Sequence, residues 1–169
     1  DALNFDFGQE SDNQDDFDGL VTALIVALLL VVGLLILQFR SIVQPLLIVL
    51  AIPFSLFGVF SALSLTDNPL SFFVFVGLIA LIGVVVNNTI LLIDAANQAR
   101  RAGLRPGPAI GQAVTQRFRP LVATTITTVV GLLPLALSDP FWEALSFTLI
   151  GGLLSSTFLV LLAFPVIYL

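Results

Sequence analysis

The feature that most constrains this sequence is residues 68–93, a stretch that contains no ionised side chain. A helix rises about 1.5 Å per residue, so a segment of this length can cross the roughly 30 Å apolar core of a bilayer. Charged residues make up 10% of the whole chain, against about a quarter in soluble domains, and the mean hydropathy is +1.10. These values predict an all-α, polytopic membrane helix bundle.

The residue types that the 169-residue chain lacks exclude most catalytic chemistry within it. There is no Cys, His or Lys, which excludes a histidine zinc site, a Ser/His triad and a Schiff-base lysine. A glycine-rich phosphate loop followed by Lys is excluded for the same reason. We therefore expect no enzyme activity, no cofactor, no metal site and no nucleic-acid partner. The absence of Met also predicts that the sequence is a piece of a longer protein.

Apolar runs separated by polar segments predict five transmembrane helices. Their approximate bounds are 19–39, 41–66, 70–93, 120–138 and 144–169. Residues 1–18 are interpreted as an acidic, solvated connector, with binding of a cationic partner as the alternative. Residues 94–119 form an Arg-rich connector, in which 109–118 is expected to be a short interfacial helix. Pro53 is expected to kink the second span.

The charges separate to the two ends of this five-helix arrangement. All six basic residues are Arg, and they lie either at Arg40, in a tight hairpin between the first two spans, or in the 94–119 connector. Every acidic residue except Asp94 falls on the opposite side. By the positive-inside rule, the Arg side is predicted to be cytoplasmic and the N-terminus extracytoplasmic.

Two adjacent amides, Asn87 and Asn88, interrupt the third apolar span. Polar side chains in a bilayer are costly unless they face protein or water, so the pair is expected to point toward other helices. Gly83, Asn87 and Asp94 recur at spacings that place them on one helix face. Two interpretations stay open: the amides form interhelical hydrogen bonds, or they line a hydrated path for protons or ions. Asp94 closes the span, where a carboxylate opposes the helix dipole and indicates a pairing or functional role.

Small and hydroxylated residues concentrate in the last two spans. Thr124 and Thr128 share one face of the fourth span, as do Thr127 and Gly131. Each hydroxyl either bonds back to the carbonyl four residues earlier or lines the same path as the asparagines. A helix-packing role is expected of Gly83 and Gly131. The fifth span carries overlapping small residues suited to the same close helix contact, namely Gly151, Gly152, Ser155 and Ser156.

Three motifs, in this order, resemble the resistance-nodulation-division superfamily of proton-driven exporters. They are GVVVNNTILLIDAANQ at 83–98, RFRPLVATTITTVVGLLPLAL at 117–137 and GGLLSSTFLVLLAFPVIY at 151–168. The resemblance covers about residues 19–169 and implies the last five helices of the C-terminal membrane half. It further implies a bacterial inner-membrane exporter of drugs, lipids or other hydrophobic compounds, or a related metal exporter, driven by the proton gradient without a cofactor.

The resemblance also implies a role for the polar residues. In the family, a preceding homologous half supplies an acidic pair that takes up and releases protons, and Asn87, Asn88 and Thr124 then lie around it as hydrogen-bonding partners. Asn87 stands where the family often has Lys, so it can form hydrogen bonds but cannot carry charge. Thr128 and Asp94, on the same two helices, complete the set of candidate coupling residues.

The implied partners are the missing N-terminal membrane half, extracytoplasmic pore domains, further copies in a trimer, a periplasmic adaptor and the lipid bilayer. On its own the segment is expected to transport nothing. Two alternatives stay open. One is a non-exporting relative with the same bundle, of the protein-translocation accessory or sterol-sensing type, and the other is a purely structural membrane subunit.

Overall fold

The computed structural model describes residues 6–39 and 43–167, and every regular element in these ranges is an α-helix. The helices are α1 Asp6–Phe39, α2 Val43–Val49, α3 Ala51–Leu65, α4 Phe72–Arg101, α5 Pro106–Ser138 and α6 Pro140–Ile167. Five stretches within them are long and apolar enough to cross a membrane, and α2 and α3 together provide the second. The predicted all-α bundle is confirmed. The hairpin expected at Arg40 lies outside the described ranges.

The helices extend well beyond the predicted membrane spans. α1 begins at Asp6, so the described part of the acidic segment is helical. Acidic side chains near a helix N-terminus stabilise the helix by interacting with its dipole. Each residue added to an existing helix also gains a backbone hydrogen bond. At the opposite end, α4 continues to Arg101 and α5 begins at Pro106, which leaves residues 102–105 as the turn.

The short interfacial helix expected over 109–118 is not a separate element. It is the first part of α5, which continues through Pro120 into the apolar span. Ala109, Ile110 and Ala113 are buried, and Ile110 and Ala113 belong to the main hydrophobic core. This segment therefore packs against the rest of the bundle through its buried side.

The second span is interrupted at Leu50, between α2 and α3. Pro53 follows three residues later. A proline cannot donate to the carbonyl four residues earlier, and its ring crowds that carbonyl. The carbonyl concerned belongs to Val49, the last residue of α2. The disturbance near Pro53 is local, because Leu50 keeps helical dihedral angles (φ −62°, ψ −21°) and its N–H donates to the Leu46 carbonyl at 3.1 Å.

The packing of the bundle centres on α6, which contacts α3, α4 and α5. The most extensive contact joins α3 and α6, where Gly58 and Gly151 lie so close that a Cβ on either would overlap the other backbone. Ser155 of α6 donates a 2.8 Å hydrogen bond to the Phe54 carbonyl of α3. α1 packs mainly on α4, and its apolar part, residues 18–39, is largely exposed. Small residues on α6 thus allow the close approach that the core requires.

Candidate functional site

The two adjacent asparagines lie on different sides of α4. Asn87 is exposed and borders an apolar groove between α1 and α4, a cavity of about 220 Å³ that Gly83 also lines. Asn88 is half-buried and lines a small cavity of about 10 Å³ with Ser156 and Thr157 of α6. Neighbouring residues on a helix diverge by about 100°. Asn88 therefore faces α6, whereas Asn87 faces the open groove beside α1.

Neither amide has a hydrogen-bond partner among the residues whose side chains the structure describes. An amide without a partner is costly in hydrocarbon, so Asn87 would destabilise a surface that faced only lipid. Its exposed position instead suits a contact with protein or water from outside the described helices. The cavity beside Asn88 is about the size that one water molecule requires, and its hydroxyl lining offers hydrogen-bond partners.

Five small or polar residues on the neighbouring helices α4 and α5 are exposed, and together we call them the polar face: Gly83, Asn87 and Asp94 on α4, and Thr124 and Gly131 on α5. Gly83 and Gly131 have no heavy atom within 4 Å of the place a Cβ would occupy. They therefore make no close helix contact in the described bundle, although a packing role is predicted for them. The Thr124 hydroxyl donates to the Pro120 carbonyl at 2.8 Å, which leaves its oxygen available to accept another hydrogen bond.

A hydroxyl pair joins α5 to α6. Thr125 is one of the four threonines that the sequence concentrates in the fourth span, whereas its partner Thr157 is not among the residues singled out from the sequence. Thr125 is buried, and its Oγ1 lies 2.9 Å from the Leu121 carbonyl oxygen and 2.9 Å from Oγ1 of Thr157. The candidate Thr128 is half-buried. The sequence signal for Thr125 is its spacing of four from Leu121, an apolar residue on the packed side of α5.

The small residues predicted on α6 all lie against other parts of the bundle. Gly151 and Ser155 form the contact with α3 already described. A Cβ on Gly152 would overlap the Leu81 side chain of α4, and Ser156 is buried beside the small cavity between α4, α5 and α6. These residues therefore hold α6 against three helices.

At the end of the bundle that carries the arginines, Asp94 lines an open polar cavity of about 520 Å³. Among the described residues, the hydrogen-bond partner of Asp94 is Gln98, whose Nε2 lies 2.7 Å from Oδ2. Gln44 of α2 and Asn97 of α4 form a reciprocal amide pair, with N–O distances of 3.2 and 3.1 Å. Sequence reasoning misses this pair because its members are distant in the chain and follow no common period.

The chemistry available on the polar face is hydrogen bonding. The described residues contain no group of three or more His, Cys, Asp or Glu that could hold a metal ion. Amides and hydroxyls do not titrate in the physiological range. The arrangement can therefore position or stabilise a charged group supplied from elsewhere, and its mid-span residues do not themselves carry a proton.

Comparison with known proteins gives consistent matches over nearly the whole chain. Residues 2–169 match the model of the AcrB/AcrD/AcrF family. The chain is 39% identical over 155 residues, 89% of its length, to the multidrug resistance protein MdtC of Salmonella paratyphi B (strain ATCC BAA-1250 / SPB7). It is 35% identical over 166 residues, 95% of its length, to the swarming motility protein SwrC of Bacillus subtilis (strain 168).

Among solved structures, the fold is similar to the X-ray crystal structure of a heavy metal efflux pump. The TM-score is 0.80, with 30% sequence identity and 95% of this chain covered. The chain spans 15% of the length of MdtC, 16% of SwrC and 16% of the pump structure's chain. These relatives are thus several times longer than the segment described.

Proposed function

The chain belongs to the AcrB/AcrD/AcrF family, and from that premise we propose that it forms part of the membrane domain of a proton-coupled exporter. The family resemblance seen in the three sequence motifs is confirmed. One relative is named a multidrug resistance protein, and the similar structure is that of a heavy metal efflux pump. These names support export as the class of activity. For this protein we infer drugs, lipids or other hydrophobic compounds as substrates.

The observation that carries the proposal is the exposed polar face on α4 and α5. Exposed apolar side chains of a membrane bundle can face lipid, but Asn87 without a partner is costly there. Helices laid over the polar face would remove this cost. Gly83 and Gly131 favour such a contact, because a helix approaches closely where no Cβ intervenes. We infer that a preceding, homologous membrane half, together with extracytoplasmic pore domains, completes the exporter and covers this face.

In the proposed mechanism, this chain stabilises two protonation states of acids held by the other half. The Asn87 amide donates a stronger hydrogen bond to an ionised carboxylate than to a neutral carboxyl. The Thr124 oxygen can accept a hydrogen bond from the protonated form. When the acid takes up a proton, its better hydrogen-bond partner changes from the Asn87 amide to the Thr124 oxygen. The preferred contact between the two membrane halves changes with it. Such a difference between states is what coupling requires.

The remaining candidates take supporting places in this proposal. Asn88 and Thr128 lie behind the contact, toward the interior of the bundle, and Asp94 lies at its arginine end. We infer a bacterial inner-membrane location, with the N-terminus extracytoplasmic and the Arg-rich turn cytoplasmic. The proton gradient is the energy source, without a cofactor. The inferred assembly is a trimer, joined by a periplasmic adaptor.

The test uses the full-length gene product in proteoliposomes with an imposed pH gradient and a fluorescent hydrophobic dye. Dye export is expected to require the gradient and to stop when a protonophore collapses it. Export that continues after the gradient is removed would contradict proton coupling. Folded protein that exports neither this dye nor other hydrophobic probes would instead favour a non-exporting relative or a structural subunit.

A further inference from the structure

The open polar cavity at the arginine end shares Asp94 with the candidate coupling residues, and its other lining residues take no part in the proposed export step. It measures about 520 Å³ and is lined by residues of α1, α2 and α4, including Gln38 and Phe39 at the end of α1. The apolar span of α1 also ends at Phe39. A cavity in this position lies at the depth of lipid headgroups and not in the hydrocarbon core.

The charged groups lining the cavity have a net positive charge. Arg100 and Arg101 contribute two guanidinium groups, and Asp94 contributes one carboxylate. Guanidinium groups bind phosphate oxygens in a bidentate geometry. A carboxylate accepts hydrogen bonds from hydroxyls, and Asp94 uses one oxygen for Gln98, at 2.7 Å. Two guanidinium groups beside one carboxylate are therefore complementary to a ligand that carries one phosphate and several hydroxyl groups.

The walls of the cavity belong to helices that are joined to each other. The reciprocal amide pair between Gln44 and Asn97, at 3.2 and 3.1 Å, ties α2 to α4 within the lining. Each amide acts as donor and acceptor, so the two side chains fix each other's orientation. The Gln44–Asn97 pair therefore holds two of the helices that line the cavity in place relative to each other.

The surface of α1 beside the cavity is apolar and largely uncovered. Leu30, Leu34 and Leu37 recur at spacings of four and three on one side of α1, and they are 69%, 61% and 80% exposed. This stripe leads directly to Gln38 at the cavity. A soluble phosphate compound would make no use of the stripe, whereas the acyl chains of a phospholipid would bury it.

We propose that this cavity binds the headgroup of an anionic glycerophospholipid, phosphatidylglycerol, with its acyl chains along the leucine stripe of α1. Arg100 and Arg101 hold the phosphate. Asp94 and Gln38 take the glycerol hydroxyls. The inference needs only a bundle embedded in a membrane, and it does not require export. Leu30 and Leu34 also border the groove beside Asn87, so the acyl chains are placed on the outward side of these leucines and not in that groove.

The test is native mass spectrometry of the full-length gene product in detergent, with phosphatidylglycerol, phosphatidylethanolamine and phosphatidylcholine of the same acyl chains. Phosphatidylglycerol is expected to bind preferentially. The double variant Arg100→Gln with Arg101→Gln should lower its affinity on the order of 20-fold, since each basic side chain near anionic lipid contributes roughly fivefold. The control, Arg105→Gln with Arg119→Gln, removes the same charge outside the cavity and should change the affinity less than about twofold.

Equal affinity for the three lipids would overturn the proposal, and so would an equal loss in the two double variants, which would indicate general surface charge. A thermal unfolding midpoint for each variant shows whether it is folded. If the cavity double variant unfolds, the single variants decide the question. Arg100→Gln and Arg101→Gln are each expected to lower phosphatidylglycerol affinity by about fivefold, and no change in either would exclude the site.

Discussion

The contact between α3 and α6 and the polar face of α4 and α5 use the same residue types in opposite ways. In the first, Gly58 and Gly151 meet backbone to backbone, and Ser155 forms a hydrogen bond across the contact. In the second, Gly83 has open space around it and Asn87 is exposed. Small and polar residues at helical spacing therefore predict a close contact, but they do not reveal whether the partner helix belongs to the same segment of chain.

The two regions also differ in how much of each helix the bundle covers. In the most apolar 18-residue stretch of each helix, 17% of the α5 residues are buried, against 39% of the α6 residues. Lipid contact would account for an exposed apolar helix, and it is also compatible with the exposed hydroxyls at Thr124 and Thr127, because both bond to carbonyls of their own helix. Their oxygens remain acceptors for a further partner. The exposed side of α5 can therefore face lipid or, as proposed above, the preceding membrane half.

The largest effect is expected from inserting the same side chain into both regions. Gly151→Leu forces a side chain into the Gly58 backbone and should destabilise the protein by about 3 kcal/mol. Gly131→Leu enters open space within this bundle and should leave its fold intact, while reducing export by holding the covering helices apart. Thermal unfolding of the detergent-solubilised full-length gene product measures the first effect, and dye export in proteoliposomes measures the second. Equal destabilisation by the two substitutions would remove the distinction between the regions.

The next largest effect is expected at the asparagine of the polar face. A hydrogen bond to a charged group contributes about 1.5–3 kcal/mol, so Asn87→Ala should lower proton-driven export on the order of tenfold or more. Asn88→Ala should also impair export more than folding. Its effect on export should be smaller, because Asn88 faces a cavity between helices of this chain. Initial rates of dye export at a fixed pH gradient, normalised to the amount of protein in the membrane, measure both effects.

The control for the asparagine pair is Asn68→Ala, which removes an amide in the turn before α4, far along the helix from Asn87. It should leave the rate of proton-driven export close to wild type. A larger loss of export for Asn88→Ala than for Asn87→Ala would show that the interior cavity, and not the polar face, contains the coupling contact.

Much of the fold is predictable from the sequence, because long apolar runs have few ways to satisfy their backbone groups in a bilayer. The helix ends are less predictable. α1 extends back to Asp6 because helix propagation continues through acidic residues that composition alone assigns to a connector. The direction of Asn87 also escapes the sequence, since periodicity places a residue on a face without showing what covers that face. The pair of Gln44 and Asn97 requires the tertiary structure.

The smallest effect is expected in the unfolding free energy when threonine hydroxyls of α5 are removed. It distinguishes Thr125, whose hydroxyl bonds to α6, from Thr127, whose hydroxyl bonds within α5. Thr125→Val leaves Thr157 without its 2.9 Å interhelical partner, and Thr157→Val does the converse. Hydrogen bonds between membrane helices contribute about 0.6–1 kcal/mol, so the double-mutant cycle should show a coupling energy of that order in unfolding free energy. Thr127→Val, at an exposed hydroxyl that bonds only within its own helix, should not couple to Thr157→Val. Additive effects of Thr125→Val and Thr157→Val would mean that the packing of α5 on α6 is apolar, and that the two hydroxyls contribute nothing to it.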